Sequence, residues 1–185
     1  MKVKLLENHD CWQAAKNATM NTVGKDKGVY PNSQWKRRLL LSEHSPIRKI
    51  HLAWKWQGLK SWVSVHITRH KIGIDHFVST QRTDRTGTNR DLEPQSSLVN
   101  HEVDANAQAV ITISRKRLCT GASPETREAW KAFLTELKEI EPELARCCVP
   151  DCVYRGYCYE FIPCGYSKTD AFQEALKVYR EGINE

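Results

Sequence analysis

No stretch of this chain approaches the roughly 20 consecutive apolar residues that a membrane-spanning helix requires, so a membrane location is not expected. The opening residues Met1-Lys2-Val3-Lys4-Leu5-Leu6 reach Glu7 and Asn8 without a long apolar segment, unlike a secretory leader, and the expectation is a cytoplasmic protein. Internal repeats and low-complexity tracts are missing, which sets aside solenoids and biased-composition linkers. The seven cysteines contain no Cys-x-x-Cys pair. An odd set of this kind in the cytosol reads as reduced thiols rather than a disulfide framework. Cys148, Cys152, Cys158 and Cys164 invite a tetrahedral zinc site, but their irregular spacing favours ordinary thiols, and no metal is expected.

What is present suits a globular domain. The chain has 185 residues, 40% of them hydrophobic and 27% charged. That is enough for one core, so a single domain over residues 1–185 is expected, with a cysteine-rich segment 147–165 inside it. The formal charge of +6 favours anionic partners. Two local concentrations contribute to it, Lys36-Arg37-Arg38 and Arg115-Lys116-Arg117, and each reads most simply as a solvated helix face.

Periodicity sets out the elements. Lys2 to Leu6 predicts a strand, and Cys11 to Met20 a helix with Asp10 as its cap. Ser33 caps a second helix to about Ser42. Ile50, Leu52, Trp54 and Trp56 alternate with more polar neighbours as a strand with one apolar face, ended by Gly58. Trp62, Val65, His66 and Arg69 fall on one face of a helix that begins apolar and ends cationic. Gly73 breaks it, and Phe77 to Gln81 reads as extended. The polar stretch 83–100 predicts loop. Ala105 to Arg117 predicts a helix capped by Asp104, and Ser123-Pro124 starts a long helix whose stripe runs to Leu144. Residues 150–165 are turn-rich, and Ala171 to Gly182 forms a last helix. The sum is an α/β (α+β) fold, a small mixed or antiparallel sheet with several packed helices. Trp54, Trp56 and Trp62 read as core or subunit interface.

Two basic and polar clusters carry chemistry. Arg69-His70-Lys71 ends a helix, and Ser79-Thr80-Gln81-Arg82 follows on an extended segment. Hydroxyls, an amide and an arginine fork are the donors a phosphate monoester needs. The plainer reading is a basic helix end followed by a polar strand.

These two clusters resemble the Arg-His-Arg and Ser-x-Arg signature of the flavin-dependent thymidylate synthases. Upstream, His44-Ser45-Pro46 resembles that family's His-x-Ser/Thr-Pro element. Downstream, Asn106-Ala107, then Arg117-Leu118-Cys119, Ala122, Glu125 and Arg127 match its Asn-Ala…Arg-x-Cys…Ala-x-x-Glu-x-Arg pattern. Pro150-x-Cys152, Gly156-Tyr157-Cys158-x-Glu160 and Cys164-Gly165 resemble the tail of a subset. The resemblance implies an α/β homotetramer with active sites between subunits, converting dUMP to dTMP with FAD, and with methylenetetrahydrofolate and NADPH as co-substrates. It implies that Arg69, His70, Lys71 and Asn106 contact the flavin. It implies that Ser79, Thr80, Gln81 and Arg82 hold the nucleotide phosphate, with Arg117 at the uracil ring and Arg82 and Arg117 as the catalytic cations. The chain departs from the pattern at Lys49, Lys71, Val78 and Gln108, so nucleotide binding is implied more firmly than full thymidylate synthesis. Two other readings stand beside it. One is a non-catalytic nucleotide- or flavin-binding protein on the same fold, or an enzyme acting on another pyrimidine nucleotide. The other, less expected, is a basic nucleic-acid-binding module with a structural zinc.

Overall fold

The structure, a computed structural model, describes residues 1–6 and 9–181. Four strands form one antiparallel sheet in the order β1-β2-β4-β3: β1 (Lys2–Leu5), β2 (His51–Lys60), β3 (Ile74–Val78) and β4 (Leu98–Asn106). Of the two expectations, mixed or antiparallel, the second is the observed one. β2 buries Leu52, Trp54 and Trp56, while His51 and Gln57 are exposed, so the period of two continues through the strand.

Gly58 does not end β2. It sits at φ 69° inside a register shift between Trp56 and Leu59, and the strand continues to Lys60. A bulge there needs a residue that tolerates the left-handed region, which glycine does without a Cβ penalty.

β4 is a correction to the sequence reading, which placed loop up to Asn100 and a helix from Ala105. It is a central strand that pairs with both β2 and β3. Its inward residues are Val99, His101, Val103 and Ala105. A histidine at a core position breaks the apolar alternation, and Asn100, Glu102 and Asp104 on the other face make the segment look like loop.

The helices are α1 (Trp12–Asn21), α2 (Ser33–Leu41), α3 (Ser61–Thr68), α4 (Thr83–Thr86), α5 (Ala107–Arg117), α6 (Pro124–Ile140), α7 (Pro142–Cys147), α8 (Asp151–Arg155) and α9 (Asp170–Arg180). Asn106, not Asp104, caps α5, its side-chain oxygen accepting from Ala109 N at 2.9 Å. Asn32, not Ser33, caps α2. Ser123 and Pro124 open α6 as expected, but Pro142 splits the predicted long helix into α6 and α7, because proline cannot continue the hydrogen-bond ladder. The last helix ends at Arg180, and Gly182 lies outside the described residues.

The core lies where α6 crosses β1 and β2. Trp54 stacks on Phe133 with centroids 3.9 Å apart, and Trp56 and Trp130 meet both at larger angles. Trp56 Nε1 donates to Ala129 O at 2.9 Å, and Trp130 Nε1 to Ser114 Oγ at 2.8 Å, so both buried indoles keep a partner. Trp54 and Trp56 are therefore core, and Trp62 is half-buried. A smaller cluster of Val153, Phe172 and Tyr179 ties α8 to α9. Among the described residues no helix is long and apolar enough to cross a membrane.

Candidate functional site

The turn after α3 and the start of α5 enclose a cleft of about 530 Å³ whose wall includes Arg48, Arg69, His70, Lys71, Asn106 and Gln108. Three chain segments meet here for local reasons. α3 ends at Thr68 with Arg69 as its C-cap, and Gly73, at φ 69°, turns the chain into β3. Gly73 O accepts from Asn106 N at 2.9 Å, which holds the turn against the junction of β4 and α5. A Cβ on Gly73 would stand 2.5 Å from Asn106 Nδ2, so only glycine permits this approach.

The buried residues of α3 are Val63, Ser64 and Ile67 rather than the predicted stripe of Trp62, Val65, His66 and Arg69; Val65 is exposed. That rotation points Ser64 inward to a chain of polar groups. Ser64 Oγ lies 3.1 Å from His101 Nδ1, and His101 Nε2 lies 3.0 Å from His76 Nδ1. His76 Nε2 lies 2.8 Å from the carbonyl of His70. A carbonyl only accepts, so His76 donates from Nε2. Its Nδ1 then accepts from His101 Nε2–H, and His101 Nδ1 accepts from the Ser64 hydroxyl. Each hydrogen bond in the chain then has one donor and one acceptor. Burial, with His76 beside it, pushes His101 down to about 4, in keeping with its neutral form.

His70 itself is set by Arg117. Arg117 Nε donates to His70 Nε2 at 2.9 Å, and a second guanidinium nitrogen donates to His66 O at 2.7 Å. The His70 proton is therefore on Nδ1, which has no partner among the described residues. Burial, then Arg117 and His76, hold the His70 imidazole down at about 4. At neutral pH the imidazole on the cleft wall is thus uncharged, with its N–H on Nδ1. His66 is lowered as well, by burial and then by Arg117 and Arg69.

The cations around this donor are unpaired. Among the described residues Arg48, Arg69 and Lys71 take part in no ion pair. Gln108, where the family pattern has arginine, donates to Glu43 Oε2 at 2.6 Å. Glu43 also pairs with Arg115, whose guanidinium stacks on Tyr154 at 3.4 Å. The basic run at the end of α5 is therefore only in part a solvated face, with Lys116 exposed and Arg115 and Arg117 half-buried. Arg115 turns to Glu43, Lys116 to Asp151 and Glu160, and Arg117 to His70.

Of the residues singled out from the sequence, Arg69, His70, Lys71 and Asn106 line this cleft, and Arg117 stands behind His70. Ser79, Thr80, Gln81 and Arg82 lie elsewhere, at the far end of β3. Five strand residues at about 3.3 Å each put that segment roughly 16 Å away. Ser79 Oγ accepts from Asn100 N at 2.9 Å, and Gln81 Oε1 accepts from Ser61 Oγ at 3.3 Å. Arg82, exposed, makes a two-pronged contact with Asp84 at 3.0 and 2.8 Å. Only Ile74 to Val78 is strand, so Ser79 to Gln81 is not part of it. Sequence reasoning missed Arg48, Ser64 and His101. The last two had no signal beyond their spacing from residues they meet only in space.

A one-faced antiparallel sheet backed by helices, with a cationic cleft at one strand end, defines an α+β architecture. Its likeness to solved structures is specific. Flavin-dependent thymidylate synthase ThyX from Helicobacter pylori, complexed with FAD and dUMP, matches with a TM-score of 0.66 at 12% identity, over 80% of this chain and 100% of that one. A second structure of the Helicobacter pylori enzyme with FAD and dUMP matches at TM-score 0.64 and 12% identity, over 80% of this chain and 99% of that one. The UMP/dUMP methylase PolB from Streptomyces cacaoi, bound with 5-Br dUMP, matches at TM-score 0.60 and 14% identity, over 79% of this chain and 93% of that one. No protein-family model and no curated protein matches the chain in sequence. The chain has the fold of the flavin-dependent thymidylate synthases, as the sequence resemblance implied.

Proposed function

We propose that the chain is a flavin-dependent enzyme of the thymidylate synthase type, which transfers a one-carbon unit to C5 of dUMP. The observation that carries this reading is the cleft itself: a neutral His70 N–H donor, locked by Arg117, among three cations without acidic partners. Such a wall fits FAD. Arg48, Arg69 and Lys71 suit its pyrophosphate, because cations without local counterions gain most from an anion. His70 Nδ1–H suits a ring carbonyl, and the Asn106 side-chain amide lies on the same wall. When bound, the flavin supplies the hydride chemistry, and the protein binds, orients and excludes water. Methylenetetrahydrofolate as donor, NADPH as reductant and a cytoplasmic setting complete the reading.

The nucleotide site needs a second copy of the chain. Ser79, Thr80, Gln81 and Arg82 are separated from the cleft by the length of β3 within one protomer. In a homo-oligomer, a tetramer on this reading, the phosphate segment of one subunit completes the cleft of another. β3 is a sheet edge, and Phe77 and Val78 on it and Ile72 in the turn before it are exposed apolar residues that a partner would cover. Arg82 would exchange Asp84 for a phosphate dianion, and Arg117 would stabilise charge on the uracil ring.

A specific observation favours a second reading: Gln108 and Arg82 already have protein partners, Glu43 and Asp84. They suit a protein on this fold that binds flavin or nucleotide without turnover, or one that modifies a different pyrimidine nucleotide. One experiment separates these readings. The purified protein should carry a flavin spectrum, and loss of that spectrum in Arg69→Ala and His70→Ala tests the cleft. Calorimetry with dUMP and deoxyuridine tests the nucleotide site: Arg82→Ala should weaken dUMP about ten- to a hundred-fold and spare deoxyuridine. Turnover of dUMP then distinguishes enzyme from binding protein. A colourless protein in which Arg82→Ala binds dUMP unchanged overturns the proposal.

A further inference from the structure

A second cavity, of about 420 Å³, lies outside the cleft, between the end of α5, the first turns of α6 and the cysteine-rich segment. Arg127 lines it, and its Nε is buried without any hydrogen-bond partner. Its side chain makes no ion pair among the described residues. That nitrogen is closed off from solvent, so an acceptor from outside the chain would meet the terminal guanidinium nitrogens, which likewise have no hydrogen bond among the described residues. Lys131, one helical turn on, lines the same cavity and has no acidic partner either. Like charges four residues apart repel, and an anion between them removes the repulsion.

The acids nearby do not answer these cations. Asp151 is taken by Lys116 at 3.9 Å and Arg155 at 3.4 Å, and Glu160 by Lys116 at 3.7 Å. Glu128, next to Arg127, is exposed and pairs with neither cation. Asp151 and Glu160 are themselves on the wall, as are the hydroxyls of Thr120 and Ser167, and most of what remains is apolar and soft. Leu118, Ile162 and Tyr166 contribute hydrophobic surface, and Cys119, Cys152 and Cys158 contribute thiols, which pack well against aromatic rings. Among the described residues no group of three or more His, Cys, Asp or Glu is arranged to hold a metal ion.

We propose that this cavity is a ligand site distinct from the cleft, and that it takes a small planar ring carrying one terminal anion, a phosphate monoester or a carboxylate. The anion sits on Arg127 and Lys131, and the ring lies against the apolar and thiol wall. Arginine's planar fork matches either oxyanion, and 420 Å³ holds a one- or two-ring compound.

The test is calorimetric titration of the full chain with phenyl phosphate and with benzoate, using inorganic phosphate and phenol as controls. One site per chain should bind at least one ring anion more tightly than either control, and the tighter of the two identifies the class of anion. Arg127→Gln should weaken binding about ten- to a hundred-fold, and the exposed, fold-neutral Lys131→Gln several-fold. Arg69→Ala should leave it unchanged, so a failed flavin assignment does not affect the result. Three outcomes overturn the proposal: no saturable binding of either ring anion, full-strength binding by both Arg127→Gln and Lys131→Gln, or loss of binding in Arg69→Ala. Equal affinity for inorganic phosphate and the ring anions also overturns it, since the wall would then contribute nothing.

Discussion

Arg117 Nε stands 2.9 Å from His70 Nε2, and the contact decides which nitrogen of the imidazole carries its proton. A guanidinium can only donate, so Nε2 of His70 must accept, and the imidazole is held neutral with its proton on Nδ1. Substituting Arg117→Ala removes the second-largest influence on His70 and leaves burial, the largest. The His70 pKa should rise from about 4 toward its ordinary 6.5 without reaching it. Proton NMR titration of the His70 ring in both proteins measures this; an unchanged midpoint would refute the assigned contact.

Stability should depend on pH through His70 and His101. Both are lowered in the folded protein from 6.5 to about 4. Between those values the unfolded chain binds protons that the folded chain does not, so acid favours unfolding. Stability is therefore fully present above about pH 6.5 and falls as pH drops toward about 4. Urea midpoints measured across that range should show the decline. His101→Gln should flatten it, whatever its effect at neutral pH.

Gly73→Ala should damage the cleft more than the core. The substitution places a methyl group 2.5 Å from Asn106 Nδ2 and forces a side chain into φ 69°. Strain in that region costs about 1–2 kcal/mol before any clash. The expected result is a lower melting temperature together with weaker flavin retention. Unaltered retention would separate the turn from the cleft.

Trp54→Ala should cost about 3–5 kcal/mol, as large aromatic truncations in packed cores do. Trp54 is fully buried and stacks on Phe133 at 3.9 Å, while its Nε1 has no partner. Trp54→Phe removes that unsatisfied nitrogen along with part of the ring, so it should cost much less than the alanine variant. Denaturant midpoints of the two variants give the comparison.

The elements whose apolar spacing is regular were legible in the sequence: β2 from Leu52, Trp54 and Trp56, and α6 from Trp130, Phe133 and Leu137. The turn at Gly73 was legible too, and so was the Arg69-His70-Lys71 run, because a short motif keeps its residues close along the chain; Asn106, on a distant element, was grouped with them only by the family resemblance. β4 was not legible, because its inward positions include His101, a polar side chain made tolerable by Ser64 and His76 at 3.1 and 3.0 Å. Those partners lie 37 and 25 residues away, and no local pattern announces them.

Sequence by itself determined the fold class, the cationic character of the segment from Arg69 to Arg82, and the glycine on which the cleft turn depends. Charge and backbone freedom belong to single residues and survive any arrangement of the chain. Tertiary structure decided which cations remain without partners. Arg115, Lys116 and Arg117 are adjacent in sequence, yet they turn to Glu43, to Asp151 and Glu160, and to His70. It also decided that Ser79 to Arg82 lie at the opposite end of β3 from the cleft. Pairing and desolvation are set by distances between residues far apart along the chain, and those distances exist only once the sheet and helices have closed around the core.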